Sequence, residues 1–253
     1  MEKYLLEMQN VGLIYQTKTG ETEALKDLNL KIKQGEFVAI VGPSGCGKTT
    51  ILSIVSGILP ATSGKVFIGG EDIAQNKKYV GYMFQKDQLF EWRSIWNNVM
   101  LGLEINKQKT EENMQYANGL IERYGLSDFA NKKPRELSGG MRQRVALIRT
   151  LVLSPEILLL DEPFSALDFQ TRLNVCDDVA TIIKREKKTA ILVTHDISEA
   201  ISMADKVVVL TKRPATIKKV FQINLKGDTP LKRRENPSFS KLFNEIWKEL
   251  QYE

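Results

Sequence analysis

The run "EFVAIVGPSGCGKTTILSIV", residues 36 to 55, leaves few folds open. Its apolar stretch from Phe37 to Val41 has no polar side to turn toward water, so a strand here needs cover on both faces, as strands of a parallel sheet have. The glycine loop that follows has Gly42, Gly47, Lys48 and Thr49 at Gly-x-x-x-x-Gly-Lys-Thr spacing, with Pro43, Ser44, Gly45, Cys46 and Thr50 completing it. "KTTILSIVSGI" then reads as a helix. In that order the motif cradles phosphates: glycines let backbone N–H groups approach, Lys48 reaches the β and γ oxygens, and the Thr49 hydroxyl ligates Mg2+.

A second anion site is written into "PRELSGGMRQR", residues 134 to 144. Ser138, Gly139 and Gly140 stand ahead of an apolar helical run, where unpaired N–H groups and the positive end of the helix dipole point outward. Further on, the apolar residues Ile157 to Leu160 deliver Asp161 and Glu162 to the carboxyl end of a strand, the edge at which open α/β sheets bind ligands. Adjacent carboxylates there divide the work: Asp161 holds a Mg2+ shell and Glu162 orients the attacking water. His195, the one histidine of the chain, closes "AILVTH" at the same edge. Asp196 and Glu199 then read as a capping box opening the next helix.

Strand patterns fill the first forty residues, as in "LLEMQNVGLIY" and the alternating "LNLKIK". From about Ser94 to Ser154 the pattern is helical, and strands return at "EILLLDEP", "TAILVTH" and "KVVVLT" with helical segments between them. The expectation is one α/β domain spanning 1–253: N-terminal antiparallel strands, a mostly parallel core sheet, a helical subdomain inserted over about 86–154, and an amphipathic helix over about 238–251 packed back on the body.

At 253 residues and 42% hydrophobic content the chain can bury a sizeable core. It has no apolar run near the ~20 residues of a membrane span, and "MEKYLLEMQN" lacks the order of a secretion signal, so the cytosol is the expected compartment. Cys46 and Cys176 are too few for a disulfide framework and are expected as free thiols. The net charge of +5 is local: from Lys212 to Arg234, eight basic residues face Asp228 alone, a balance of +7 that leaves −2 elsewhere. Such a run is expected as a solvated face, and no nucleic-acid partner is expected.

Taken together, these motifs resemble the ATP-binding cassette of ABC transporters. Residues 42 to 49 are similar to its Walker A loop, Gln85 in "YMFQKD" to its glutamine loop, "LSGGM" at 137 to 141 to its signature, and "ILLLDE" at 157 to 162 to its Walker B strand. "SALD" at 165 to 168, ending in Asp168, is similar to the D-loop, and "TH" at 194 to 195 to the histidine switch. The resemblance implies a P-loop NTPase core that hydrolyses ATP with Mg2+ and has Gln85 as a further metal and catalytic residue. Tyr15 is implied as the platform for adenine. Two cassettes would pair head to tail, so that Ser138, Gly139, Gly140 and Asp168 of one complete the ATP site of the other.

Partners follow from the same resemblance: a second cassette, a transmembrane permease received near Phe90, Trp92 and Trp96, and, indirectly, an extracytoplasmic solute-binding protein. Those three aromatics could equally be the core of the helical subdomain. "LFEWRSIWNNVMLGLEI" and "KRRENPSFSKLFNEIWKEL" look most like ATPase subunits of importers for nitrate, sulfonates and taurine, held at the cytoplasmic face of the membrane. An ABC-type ATPase acting on nucleic acid or ribosomes is the alternative that a basic stretch suggests, although one compact cassette lacks the tandem or coiled-coil form of that group.

Overall fold

The structure, a computed structural model, describes residues 4–18, 20–74 and 80–251; Met1, Glu2 and Lys3, at the start of the N-terminal stretch read above, lie outside them. The chain opens with a long antiparallel pair, β1 (Tyr4–Thr17) and β2 (Gly20–Lys33). Leu25, Leu28, Leu30 and Ile32 of β2 are buried, and polar residues lie between them along the outer face. The uniformly buried β3 (Phe37–Val41) leads through the glycine loop into α1 (Lys48–Val55). β4 (Ser63–Ile68) and the short β5 (Glu71–Asp72) return to the first sheet, which runs β2-β1-β4-β5 with antiparallel pairing throughout.

After β6 (Val80–Met83) the chain turns helical: α2 (Ile95–Val99), α3 (Leu101–Ile105), α4 (Glu111–Arg123) and α5 (Gly139–Leu151). The run "SIWNNVMLGL" forms not one helix but two short ones meeting at Met100, which closes the first and opens the second. Then strands and helices alternate: β7 (Ile157–Asp161), α6 (Phe169–Arg185), β8 (Thr189–Val193), α7 (Ile197–Met203), β9 (Lys206–Leu210), β10 (Ile217–Gln222), α8 (Pro230–Arg234) and α9 (Phe239–Gln251). The second sheet has the order β10-β9-β3-β8-β7-β6, parallel at every pairing except that of β10. This is the α/β architecture expected from the sequence.

The core strands divide their side chains between two cores, which is why they read as unbroken apolar runs. Ala39, Leu158, Leu160 and Leu192 join the cluster beneath the helices, whereas Ile40, Ile157, Leu159 and Ile191 join the one beneath the antiparallel sheet. Helix α9 lays Phe239, Leu242, Phe243 and a fully buried Ile246 on the first cluster. It is tied to β10 by Lys218 Nζ on the Glu249 carbonyl (2.6 Å) and Lys219 Nζ on its carboxylate (2.7 Å). The basic stretch is therefore not merely a solvated face. Besides these two lysines, Arg233 donates to the carbonyls of Ser202 and Ala204, and Arg213 to that of Gly45, so guanidinium groups satisfy carbonyls that chain turns leave unpaired.

Candidate functional site

The parallel register sets the site. β7 and β8 pair Asp161 with Val193, so Asp161 and Glu162 end one strand beside Thr194 and His195, which follow the other. The β3 strand pairs with β8 and releases the glycine loop at this same edge. Gly47 carries the loop into α1 at φ 124°, and a Cβ there would come within 2.9 Å of Leu25 and 3.3 Å of the Ala24 carbonyl, so only glycine fits.

Lys48 is buried, with its ammonium donating to the carbonyls of Gly42 and Pro43, both at 2.9 Å. Ser44 and Gly45 are exposed on the loop. Cys46 is not: at 2% exposure its thiol faces the core, and only its backbone can meet a ligand. Neither cysteine is in a disulfide. The hydroxyl of Thr49 donates to Asp161 Oδ1 at 3.1 Å, which brings together two hard oxygen donors of the kind Mg2+ selects. Burial raises the Asp161 carboxyl above its ordinary value, opposed by the hydroxyls of Tyr82 and Thr49. Tyr82 on β6 reaches the other oxygen, Oδ2, at 3.0 Å. Burial, and then the charge of Asp161, push its phenol far above the usual tyrosine range, so it remains a donor.

His195 Nδ1 lies 3.1 Å from Glu162 Oε2; a carboxylate only accepts, so this nitrogen donates. The imidazole is 60% exposed and the glutamate 26%, so the pair faces solvent from a fixed base. Glu162 has φ 44°, in the left-handed region. Its amide donates to Val193 O, while its carbonyl accepts from the amide and hydroxyl of Ser165. Thr194 is fixed in turn by its hydroxyl on Glu199 Oε2 at 2.7 Å. Here the sequence reading needs correction: Asp196 caps α7 through the amides of Ser198 and Glu199, but the Glu199 carboxylate turns inward to Thr194 rather than back to the cap. That buried acid sits 3.9 Å from Arg172, which also holds the Leu167 carbonyl.

Three candidates have neighbours the sequence did not announce. Gln85 donates its amide to Ser165 Oγ at 3.0 Å. Asp168 caps α6 by accepting from the Thr171 amide at 3.0 Å. Tyr15, 38% exposed near the end of β1, bonds Thr50 Oγ1 at 3.1 Å, which sets its ring beside the start of α1. An aromatic near a strand end was legible in the sequence; a hydroxyl partner thirty-five residues away was not.

Ser138 is the exposed N-cap of α5 and accepts from Met141 N, so the amides of Gly139 and Gly140 open the helix. A Cβ on Gly140 would lie 2.7 Å from Val175 of α6, so glycine here serves close helix packing. From α5 itself, Arg149 donates to the carbonyls of Asp87 and Gln88, and Arg142 pairs with Asp87 at 3.0 Å, fixing the loop after Gln85. The three aromatics divide between that loop, which holds Phe90 and Trp92, and α2, which holds Trp96. Trp96 packs on the core, Trp92 is 71% exposed, and Phe90 lies between them with its ring 4.7 Å from that of Trp92. Buried Asn98 holds the loop's shape by bonding both the amide and the carbonyl of Phe90.

Known proteins are similar to this chain in sequence and in fold. The family model described as ABC transporter matches residues 25–165. The chain is 47% identical over 247 residues to YtlC, an uncharacterized ABC transporter ATP-binding protein of Bacillus subtilis, covering 97% of this chain and 95% of that one. It is 38% identical to the nitrate import ATP-binding protein NrtD of Synechocystis (95% and 93% covered) and 37% identical to the taurine import ATP-binding protein TauB of Jannaschia (95% and 92%). Among solved structures, a dimeric ATP-binding cassette in a post-hydrolysis state with ADP and Pi superposes at a TM-score of 0.73 with 32% identity, covering 88% of this chain and 99% of that chain. With a phosphate loop, strand-end carboxylates and a histidine held at one sheet edge, the chain belongs to the ABC transporter family, as its ATP-hydrolysing, ATP-binding subunit.

Proposed function

We propose that this ATPase subunit powers uptake of a small organic or oxyanion solute of the nitrate, sulfonate or taurine type, through a separate permease at the cytoplasmic face of the membrane. One observation carries the catalytic part of the reading: the Glu162–His195 contact at 3.1 Å stands at the strand edge that also bears the Thr49–Asp161 contact at 3.1 Å. Phosphoryl transfer asks a protein for positioning and charge stabilisation, and these groups are built for both. The backbone of residues 42 to 49 and Lys48 bind the phosphates, and Tyr15 stacks on adenine. Thr49 and Asp161 hold Mg2+, and Gln85 joins them on leaving Ser165. Bound there, Mg2+ would supply charge neutralisation at the phosphates. Glu162 orients the attacking water, and His195 steadies Glu162 and meets the γ-phosphate.

Two copies close head to tail, with Ser138, Gly139, Gly140 and Asp168 of one copy completing the site of the other. An anion bridging two helix starts binds only when the copies meet, so ATP favours the closed pair and hydrolysis releases it. The dimeric relative and the import proteins among the relatives support this reading. An exposed Trp92 on a rigid loop suits a permease segment, beyond which a solute-binding protein would act indirectly. Against the nucleic-acid alternative, several residues of the basic stretch bind within this chain: Arg213, Lys218 and Arg233 donate to backbone carbonyls and Lys219 pairs with Glu249.

The experiment is to purify a tagged Glu162→Gln form from solubilised membranes with Mg-ATP and identify what accompanies it. A second cassette and a multi-helix permease are expected. Ribosomal proteins or nucleic acid without a membrane partner would overturn the transport reading, and a variant that stays monomeric at saturating Mg-ATP would overturn the closure.

A further inference from the structure

Asp161 has two carboxylate oxygens, and each has its own hydroxyl. Oδ1 takes the bond from Thr49, the residue that opens the site toward a cation; Oδ2 takes the bond from Tyr82, which comes from the neighbouring strand. Tyr82 pairs with Leu159 across β6 and β7, two residues before the acid, so its ring runs along the sheet toward the strand end and delivers the hydroxyl at 3.0 Å. The ring is fixed on both sides. It packs against the core beneath the antiparallel sheet and stacks on Phe84 with centroids 4.5 Å apart. A carboxylate on a free side chain can rotate about its last bond; this one has one oxygen fastened to a group that cannot follow it.

We propose that Tyr82 is a positioning residue for the divalent cation: its hydroxyl fastens Asp161 Oδ2 so that Oδ1 is presented to the metal beside Thr49. The inference rests on the reading of Asp161 as a metal-holding residue and adds a residue to it. Partners of this kind hold ligating carboxylates in one orientation, and losing one commonly weakens metal binding about 10-fold or more. The ring's packing alone would give stability and nothing else, which makes the two roles separable.

The test compares the full chain with its Tyr82→Phe form, which keeps the ring and its stack on Phe84 and removes only the oxygen. Binding of a fluorescent trinitrophenyl-ATP is measured first in chelator and then during titration with magnesium chloride. The expected result is nucleotide affinity in chelator within about 2-fold of the parent, with the Mg2+ concentration for half-maximal response raised about 10-fold. In an Asp161→Asn background, Tyr82→Phe should shift that midpoint no further, because the two substitutions act through one contact. A lowered melting temperature with an unchanged Mg2+ midpoint would overturn the inference, as would a shift that persists undiminished beside Asp161→Asn. If the parent protein itself bound nucleotide with no response to Mg2+, the metal-site reading would fail, an outcome distinct from failure of the Tyr82 contact.

Discussion

Glu162 is held at φ 44°, in a region that costs a residue with a Cβ roughly 1–2 kcal/mol. The amide on Val193 and the carbonyl under Ser165 impose that conformation, so a replacement side chain inherits it. Glu162→Gly removes the steric cost and returns about 0.5–1 kcal/mol of it through the greater freedom of glycine in the unfolded chain. The lost contact with a His195 that is 60% exposed subtracts little. The net expectation is a gain of about 0.5–1 kcal/mol, or a melting temperature higher by about 1 to 4 °C for a chain of this length. Glu162→Gln keeps the strain and should melt within about 1 °C of the parent. If Glu162 orients the attacking water as proposed, both variants should lose ATP turnover by about 100-fold or more. Lys107→Gly is the control: Lys107 is an exposed turn residue at φ 55°, so it should gain similar stability with turnover unchanged. Calorimetry without nucleotide and a phosphate-release assay read both quantities. A Glu162→Gly form that melts below the parent, or that keeps more than about a tenth of its turnover, would refute the idea that stability is given up here for catalysis.

Tyr15→Ala should raise the ATP concentration for half-maximal turnover several-fold while leaving the maximal rate near that of the parent, because stacking on a base contributes about 1–3 kcal/mol; an unchanged requirement would remove the ring from the site. Glu199 gives a pH signature. Burial raises its carboxyl above the ordinary 4.5, opposed by the Thr194 hydroxyl, with Asp196, Arg172 and His195 as its charged neighbours. A raised acid favours the fold most at low pH, and that contribution fades as pH climbs from the ordinary value through the raised one. Glu199→Gln keeps an acceptor for Thr194 and carries no charge to bury, so its melting temperature relative to the parent should rise between about pH 4 and pH 7. A difference constant across that range would show that the acid's ionisation is not strained.

Groups whose chemistry and neighbours lie together in the chain were legible from the sequence. The glycine loop sits between an apolar strand and a helix, and Asp161, Glu162 and His195 each end an apolar run, so their common edge follows from parallel pairing. Long-range partners were not legible. Tyr82 reads as an ordinary strand aromatic until register sets it beside Asp161, and Arg213 reads as one charge in a basic run until its loop closes on Gly45. Glu199 fitted the spacing of a capping box, yet burial gave it a better acceptor role on Thr194. Trp92 lies in the turn before α2 and Trp96 on α2 itself, a difference that periodicity over so few residues does not resolve.

The second sheet separates two cores that share its backbone and none of its side chains: neighbours such as Leu158 and Leu159 point into different interiors. The sheet is in this sense a bulkhead. A cavity opened at Leu158 cannot be filled from the side of Leu159, so truncations on opposite faces should add their costs almost independently, while pairs within one face should not. Two of the strands that form the bulkhead, β7 and β8, end at Asp161, with Glu162 next in the chain, and at Val193, followed by Thr194. The two interiors thus meet through one shared sheet, and the strand ends at its carboxyl edge carry the groups proposed for phosphate chemistry.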